Sequence, residues 1–155
     1  MRIHSTPVLS AVVLGICLLT CGTVAAQALP APVVELVART KAKIRTLDMA
    51  QFKSALDGNG DLGLIIDVRE PAEFAAGHVP RAINIPRGQI ELAIWSLVGY
   101  PRDTDMGKRM TLVCGSGIRC ILAAKSLQDL GFSNVVAVDM KIGDWTKAGY
   151  PLVKE

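Results

Sequence analysis

The chain has no run of basic residues, although lysine and arginine total 17 against 14 aspartates and glutamates, a net charge of +3. Without a basic patch or stripe, the electrostatic footprint of a nucleic-acid binder is missing. Two histidines and four cysteines occur, but none falls in a Cys-x-x-Cys or His-Glu-x-x-His spacing, which argues against a structural zinc site. Neither an internal repeat nor a low-complexity segment is present. Charged residues make up only 20% of the chain and apolar residues 50%, a balance that excludes a disordered or fibrous protein. The length of 155 residues is that of one ordinary domain, which runs to roughly 100–200 residues.

Charge is also missing near the N-terminus, where no residue between Ser5 and Val34 is charged. Arg2 precedes this stretch, Ala11 to Leu19 form its apolar centre, and small residues follow. A charged start, a short apolar core and small residues describe a secretory signal peptide over residues 1–28, cleaved after Ala26 or Ala28. Two rival readings stay open. Leu18-Leu19-Thr20-Cys21 loosely resembles a lipoprotein signal with Cys21 as the lipid-bearing residue, and the segment could be retained as a membrane anchor. The apolar core is short for a span of about 20 residues. Each reading places the domain outside the cytoplasm, periplasmic or secreted, with contact to a membrane only through a retained or lipidated leader. Cys17 and Cys21 then belong to the leader, and Cys114 and Cys120 to the folded domain.

Downstream, a helical extension over residues 29–45 is expected, with Val33, Val34, Leu36, Val37 and Ile44 as candidate apolar positions. Asp48 is placed to cap a helix over Met49–Leu56, and Asp57–Asp61 has turn chemistry. Leu62–Val68 is a short apolar run, as in a strand buried on both faces. A helical turn over Pro71–Ala76 and a short strand over Ala82–Ile85 follow. Gln89–Val98 reads as a helix with a broad apolar face that includes Leu92. Arg109–Val113 is a third strand, Ile118–Leu130 a helix stopped by Gly131, Val135–Val138 a fourth strand, and Lys141–Ala148 a last helix. Strands alternating with helices predict an α/β domain whose mainly parallel sheet is flanked by helices.

The segment that carries chemistry is Val113-Cys114-Gly115-Ser116-Gly117-Ile118-Arg119-Cys120. A cysteine ends a buried strand, a small-residue loop follows, and a helix begins. Parallel sheets place sites at the carboxyl ends of their strands. The glycines let backbone N–H groups curl inward, the helix start adds partial positive charge, and Arg119 adds a full one. Such surroundings lower a thiol pKa and make Cys114 a nucleophile rather than a packed apolar residue. For Arg119, a solvated helix residue competes with an anion-binding one, since one arginine can cap, pair or bind an anion. For Cys120, a packed thiol competes with a thiol that donates to the Cys114 sulfur or closes a disulfide with it.

Cys-Gly-Ser-Gly-Ile-Arg resembles the active-site loop of single-domain rhodaneses, the sulfurtransferases. Leu64–Phe74 and Gly77–Pro86 are similar to the two N-terminal signatures of that family, and Leu130-Gly131-Phe132, Trp145 and Ala148–Leu152 to its C-terminal end. The likeness covers about Thr46 to Lys154, within a domain taken as residues 46–155. It implies a five-stranded parallel sheet, a cysteine that accepts sulfur as a persulfide, and no metal or organic cofactor. The implied partners are a small donor, thiosulfate or a persulfide, and a thiol or protein acceptor. Relatives that process phosphate or arsenate carry a Cys-x5-Arg loop, one residue longer than the Cys-x4-Arg here.

By this resemblance Cys114 is the nucleophile, and Gly115, Ser116, Gly117, Ile118 and Arg119 bind the donor anion and the persulfide. Cys120 and Lys141 are auxiliary candidates. Gly115 stands where the family often has a basic residue, and Met140-Lys141 where it commonly has two glycines. Lys141 would either restore charge near the loop or point to solvent. Asp67 and Arg69 are expected to be structural, with Asp67 bonding backbone N–H groups and Arg69 pairing with Glu70 or Glu73. His78 is expected to satisfy a loop hydrogen bond, and Phe132 and Trp145 to lie in the core. The leading expectation is an exported sulfurtransferase. Its alternative is a non-enzymatic sulfur-carrier or protein-binding module of the same fold.

Overall fold

The computed structural model describes residues 28–154. The expected leader, with Cys17, Cys21 and the Ala26 cleavage position, lies outside the described residues, and Ala28 is exposed. Among the described residues, no helix is long and apolar enough to cross a membrane.

The elements run α1 (Ala31–Lys41), β1 (Arg45–Asp48), α2 (Met49–Ser54), β2 (Leu64–Asp67), α3 (Pro71–Ala75), β3 (Ile83–Asn84), α4 (Ile90–Ala93), β4 (Met110–Val113), α5 (Ile118–Asp129), β5 (Val135–Asp139) and α6 (Ile142–Lys147). The five strands form one sheet in the order β1-β5-β4-β2-β3, and every pairing is parallel. Neighbouring residues of the inner strands point to opposite faces. Ile66, Met110, Leu112 and Ala137 face a core shared with α4 and α5, whereas Ile65, Val113 and Val138 face Phe52 and Trp145. Both faces are therefore dry, which is why β2, β4 and β5 read as continuous apolar runs.

The direction of chain travel sets the site. From β2 the chain moves outward to β3, and from β4 it moves the other way to β5. The crevice between the carboxyl ends of β2 and β4 is thus a topological switch point, where open parallel sheets bind ligands. The pair stays closed to its end, since the N–H of Val68 donates to the Val113 carbonyl at 2.9 Å.

Four local expectations need correction. Residue patterning shows four strands. The fifth is β1, Arg-Thr-Leu-Asp at the sheet edge, with exposed ends and a half-buried middle. The Gln89–Val98 segment is α-helical only over Ile90–Ala93 and continues as a 3-10 turn over Ile94–Leu97. It buries Ile90, Ile94 and Val98 but leaves Leu92 85% exposed, so its apolar face is narrow. Helix α1 likewise exposes Val34 and Leu36, while Val37 and Ile44 pack against the core. Helix α2 is capped by Asp48, which accepts from the Gln51 N–H while the Gln51 side chain accepts from the Asp48 N–H, but it gives way to a wider turn from Ala55.

Beyond β2, Arg69 does not reach Glu70 or Glu73. Its guanidinium closes on Asp67, with Nε at 2.9 Å and Nη2 at 2.6 Å from the same carboxylate oxygen. Nη2 also donates to the Gly77 carbonyl, and the Arg69 N–H donates to Asp67 Oδ1. Both side chains are buried. Asn84 holds the segment from the β3 side by donating to the Asp67 and Arg69 carbonyls. His78 stacks on Phe74, with Nδ1 3.1 Å from the Phe74 carbonyl, and its backbone pairs with Val153. Phe132 and Trp145 are buried, as expected.

A buried ion pair that loses one partner leaves an uncompensated charge. Arg69→Ala is expected to lower stability by about 3–5 kcal/mol in denaturant unfolding, and an Asp67→Ala, Arg69→Ala pair to recover part of that loss. A double variant no more stable than Arg69→Ala would show that the charge left behind is not the cause.

Candidate active site

Strand β4 delivers Cys114 to the switch point, where the residue is 1% exposed. The chain must then leave the sheet and start α5 within four residues. Gly117 makes this possible with φ +82°, a left-handed conformation costly for any residue with a Cβ. A Cβ there would also crowd Asp139, lying 3.1 Å from its Oδ1. The turned loop points the backbone N–H groups of Ser116, Gly117 and Cys120 at the Cys114 sulfur, the last at 3.4 Å. The Ser116 side chain is exposed, and Ile118 is half-buried.

Cys120 lies in the first turn of α5, fully buried, with Sγ 3.4 Å from Cys114 Sγ. Its sulfur is also 3.1 Å from the Gly117 carbonyl oxygen and 3.3 Å from that of Val138. The single S–H therefore has three acceptors within reach, and a charged Cys114 sulfur is the strongest of them. The Cys114 pKa falls to about 6, chiefly through the Cys120 thiol and further through the loop N–H groups, against the opposing effect of burial. The Cys120 pKa moves well upward, because its proton is held by Cys114 and because it is buried. One thiol is thus prepared as a thiolate at neutral pH and the other as its proton donor.

Among the alternatives for Arg119, the structure shows the paired one. Arg119 does not stand open for an anion. Its two terminal nitrogens each lie 2.7 Å from a Glu73 carboxylate oxygen, a two-pronged pair with α3 that is only partly shielded from solvent. Arg119 holds the Glu73 carboxyl down at about 2, and Glu73 in turn raises the Arg119 pKa. A Cβ at Gly115 would lie 3.1 Å from Arg119 Nη2 and 3.7 Å from Glu73 Oε1, so the pair lies across this position and crowds any side chain there. Glu73 is the functional neighbour that residue patterning missed. Its signal was the helix-start pattern Glu70-Pro71-Ala72-Glu73, in which it accepts from the Glu70 N–H.

Lys141 is exposed at the start of α6. The next residue ties that start to the loop, since the Ile142 N–H donates to the Gly115 carbonyl at 3.0 Å. Asp67 and Arg69 flank the site from β2 without facing the thiol as free charges. A surface groove lined by Pro71, Phe74, Ala82 and Ile83 lies along α3 and β3, not over Cys114. Among the described residues, no group of three His, Cys, Asp or Glu side chains gathers in a metal-binding arrangement.

Residues 48–148 match the rhodanese-like domain family. A sulfurtransferase of Allochromatium vinosum is 28% identical over 110 residues, 71% of this chain and 95% of that one. A Bacillus subtilis relative, named as a candidate sulfur carrier protein, is 29% identical over 103 residues, 66% of this chain. That alignment spans about half, 51%, of the relative's own length. Among solved structures, the polysulfide-sulfur transferase homodimer of Wolinella succinogenes is similar with a TM-score of 0.61 and 26% identity, over 81% of this chain and 89% of that one.

Because the reactive form is the thiolate, the rate of Cys114 alkylation is expected to rise with pH and level off above about 6, where an ordinary thiol would still be rising towards 9.0. In Cys120→Ala, which removes the donor, the midpoint should move upward, and in Cys120→Ser, which keeps an O–H donor, it should move less. Equal midpoints in wild type and Cys120→Ala would remove Cys120 as the cause.

Proposed function

The chain belongs to the rhodanese-like domain family, a family of sulfurtransferases, and we propose that it carries sulfane sulfur as a persulfide on Cys114 between a small donor and a thiol or protein acceptor. What carries this reading is the Cys114 sulfur itself: buried at the switch point, shifted towards thiolate, and faced by backbone N–H groups that suit an anionic sulfur. In the first half-reaction the Cys114 thiolate attacks the outer sulfur of a donor such as thiosulfate or a persulfide, and sulfite or a thiolate departs with the bonding electron pair. In the second, the nucleophilic sulfur of an acceptor attacks the outer sulfur of the Cys114 persulfide and the thiolate returns. Gly115, Ser116, Gly117 and Ile118 supply the loop that holds the charged sulfur. Arg119 joins it by exchanging the Glu73 carboxylate for the donor anion.

The carrier alternative is favoured by the name of the Bacillus subtilis relative. It shares the first half-reaction and differs in needing a protein to take the sulfur. We also propose export, on the strength of the uncharged, apolar segment between Ser5 and Val34. The mass of the mature N-terminus tests it, and a start at Met1 in fractionated cells would refute cleavage.

Incubation with thiosulfate and cyanide is expected to give turnover and a one-sulfur gain on Cys114, both absent in Cys114→Ser. An adduct without turnover would select the carrier. A folded, reduced protein that gains no sulfur from thiosulfate or polysulfide would overturn the reading. A second variant examines the ion pair. Glu73→Gln weakens the hold on Arg119, so the KM for thiosulfate should fall by up to about fivefold, the worth of one partly exposed ion pair. An unchanged KM would show that Arg119 does not reach the donor.

A further inference from the structure

The two cysteines of the domain are both reduced, both buried, and 3.4 Å apart sulfur to sulfur. At this separation the two sulfurs are in van der Waals contact, and a disulfide requires them to close to about 2.05 Å. Cys120 Sγ is buried and boxed by the Gly117 and Val138 carbonyls, while Ser116, in the loop beside Cys114, is exposed. Displacement at sulfur needs the attacking and leaving sulfurs on opposite sides of the one attacked. An added sulfur that Cys120 can displace is one that stands opposite it on Cys114.

We propose that Cys120 is a resolving thiol, which attacks the inner sulfur of the Cys114 persulfide, closes a Cys114–Cys120 disulfide and releases the outer sulfur as hydrosulfide. The inference rests on the persulfide reading above and extends it to a second activity: reductive release of sulfide without an external thiol. The step balances within the molecule. The bond between Cys114 Sγ and the outer sulfur breaks, and a bond between Cys114 Sγ and Cys120 Sγ forms. The Cys120 proton passes to the departing sulfur, so a persulfide anion and a thiol become a disulfide and a hydrosulfide anion. The sulfane sulfur is the oxidant and is reduced, while the two cysteine sulfurs are oxidised. Returning the site to its dithiol form requires a dithiol reductant, so a thiol–disulfide exchange reaction must follow each release.

The resting protein holds this chemistry back for a stated reason. The Cys120 proton is retained mainly because a charged Cys114 sulfur faces it, with burial second. Adding sulfur to Cys114 moves the negative charge outward by one atom, away from Cys120. The main influence that keeps Cys120 protonated is then relieved only when there is a persulfide to resolve.

The test loads the full chain with polysulfide in the absence of thiols, removes the excess on a desalting column, and follows hydrosulfide in solution beside tryptic peptide masses. Trypsin cuts after Arg119, so Cys114 and Cys120 fall on separate peptides, residues 110–119 and 120–125. In wild type the one-sulfur gain on the first peptide should decay while stoichiometric hydrosulfide appears and the two peptides become linked. In Cys120→Ser the sulfur should stay and the hydrosulfide should be lost, and Cys120→Ala, which differs in volume and polarity, should behave in the same way. A wild-type adduct as long-lived as that of Cys120→Ser overturns the inference and leaves the persulfide reading intact. Linkage of Cys114 to Cys17, Cys21 or a second chain also overturns it. If neither protein gains sulfur, the persulfide reading fails and this inference fails with it.

Discussion

Between Val113 and Ile118 the chain must turn from an inner strand into a helix, and Gly117 at φ +82° is where it does so. The rest of the site depends on that turn. It aims N–H groups at the Cys114 sulfur, and it lays the first turn of α5 beneath that sulfur so that Cys120 arrives at 3.4 Å. It also carries Arg119 out to α3, where Glu73 meets it. A wider loop would put Cys120 elsewhere and open the cradle. The glycine is demanded by its backbone angle, and Asp139 of β5 lies close beside it. Asp139 is itself tied to Lys41 at the end of α1, so the extension ahead of the sheet braces the same strand end.

The electrostatics of the site are made from dipoles and one donated proton rather than from net charge. Burial alone would raise a thiol pKa. The Cys120 S–H and the loop N–H groups outweigh it at Cys114, bringing the pKa from 9.0 to about 6. The lowered pKa has a stability counterpart with a definite sign. A group whose folded pKa lies below its unfolded one favours the fold above that range, and the benefit fades as pH falls towards the folded value. At pH 7 it amounts to roughly 1–2 kcal/mol and is lost by acidification through about 6. Ionisation of the nucleophile and stability of the fold therefore pull in the same direction at neutral pH. Most active sites face the opposite situation, in which reactivity costs stability.

What could be read from residues alone follows burial. Strands β2, β4 and β5 are dry on both faces and appear as apolar runs, and α5 shows helical spacing ended by Gly131. Strand β1 escaped because Arg45-Thr46-Leu47-Asp48 has one apolar residue in four. It is a strand because β5 offers an edge to pair with, a property of the sheet and not of those residues. The Cys114 loop was legible because its chemistry is local, six consecutive residues from Cys114 to Arg119. The Arg119–Glu73 pair was not, since it joins residues 46 apart through the meeting of α3 and α5. The Asp67–Arg69 pair could have been seen. Residues two apart at a strand end share a face, so Asp67 was a nearer partner for Arg69 than either glutamate of the following helix.

The tied state of Arg119 becomes intelligible when charge is followed through the proposed cycle. The resting thiolate carries one negative charge. After attack on thiosulfate and loss of sulfite, the persulfide also carries one, displaced outward by a single atom. A cradle of backbone N–H groups can serve both states without gaining or losing a counter-ion, since neither state asks for more positive charge than the other. Additional charge is needed only while a donor anion occupies the mouth. A partly exposed Arg119–Glu73 pair can meet that need by exchange at small cost, because ion pairs in contact with solvent are worth little. The buried Asp67–Arg69 pair could not, since separating it would strand a charge in the interior. Depth thus separates the tasks of these two arginine–carboxylate pairs: the buried one fixes the strand end and the shallow one remains free to exchange.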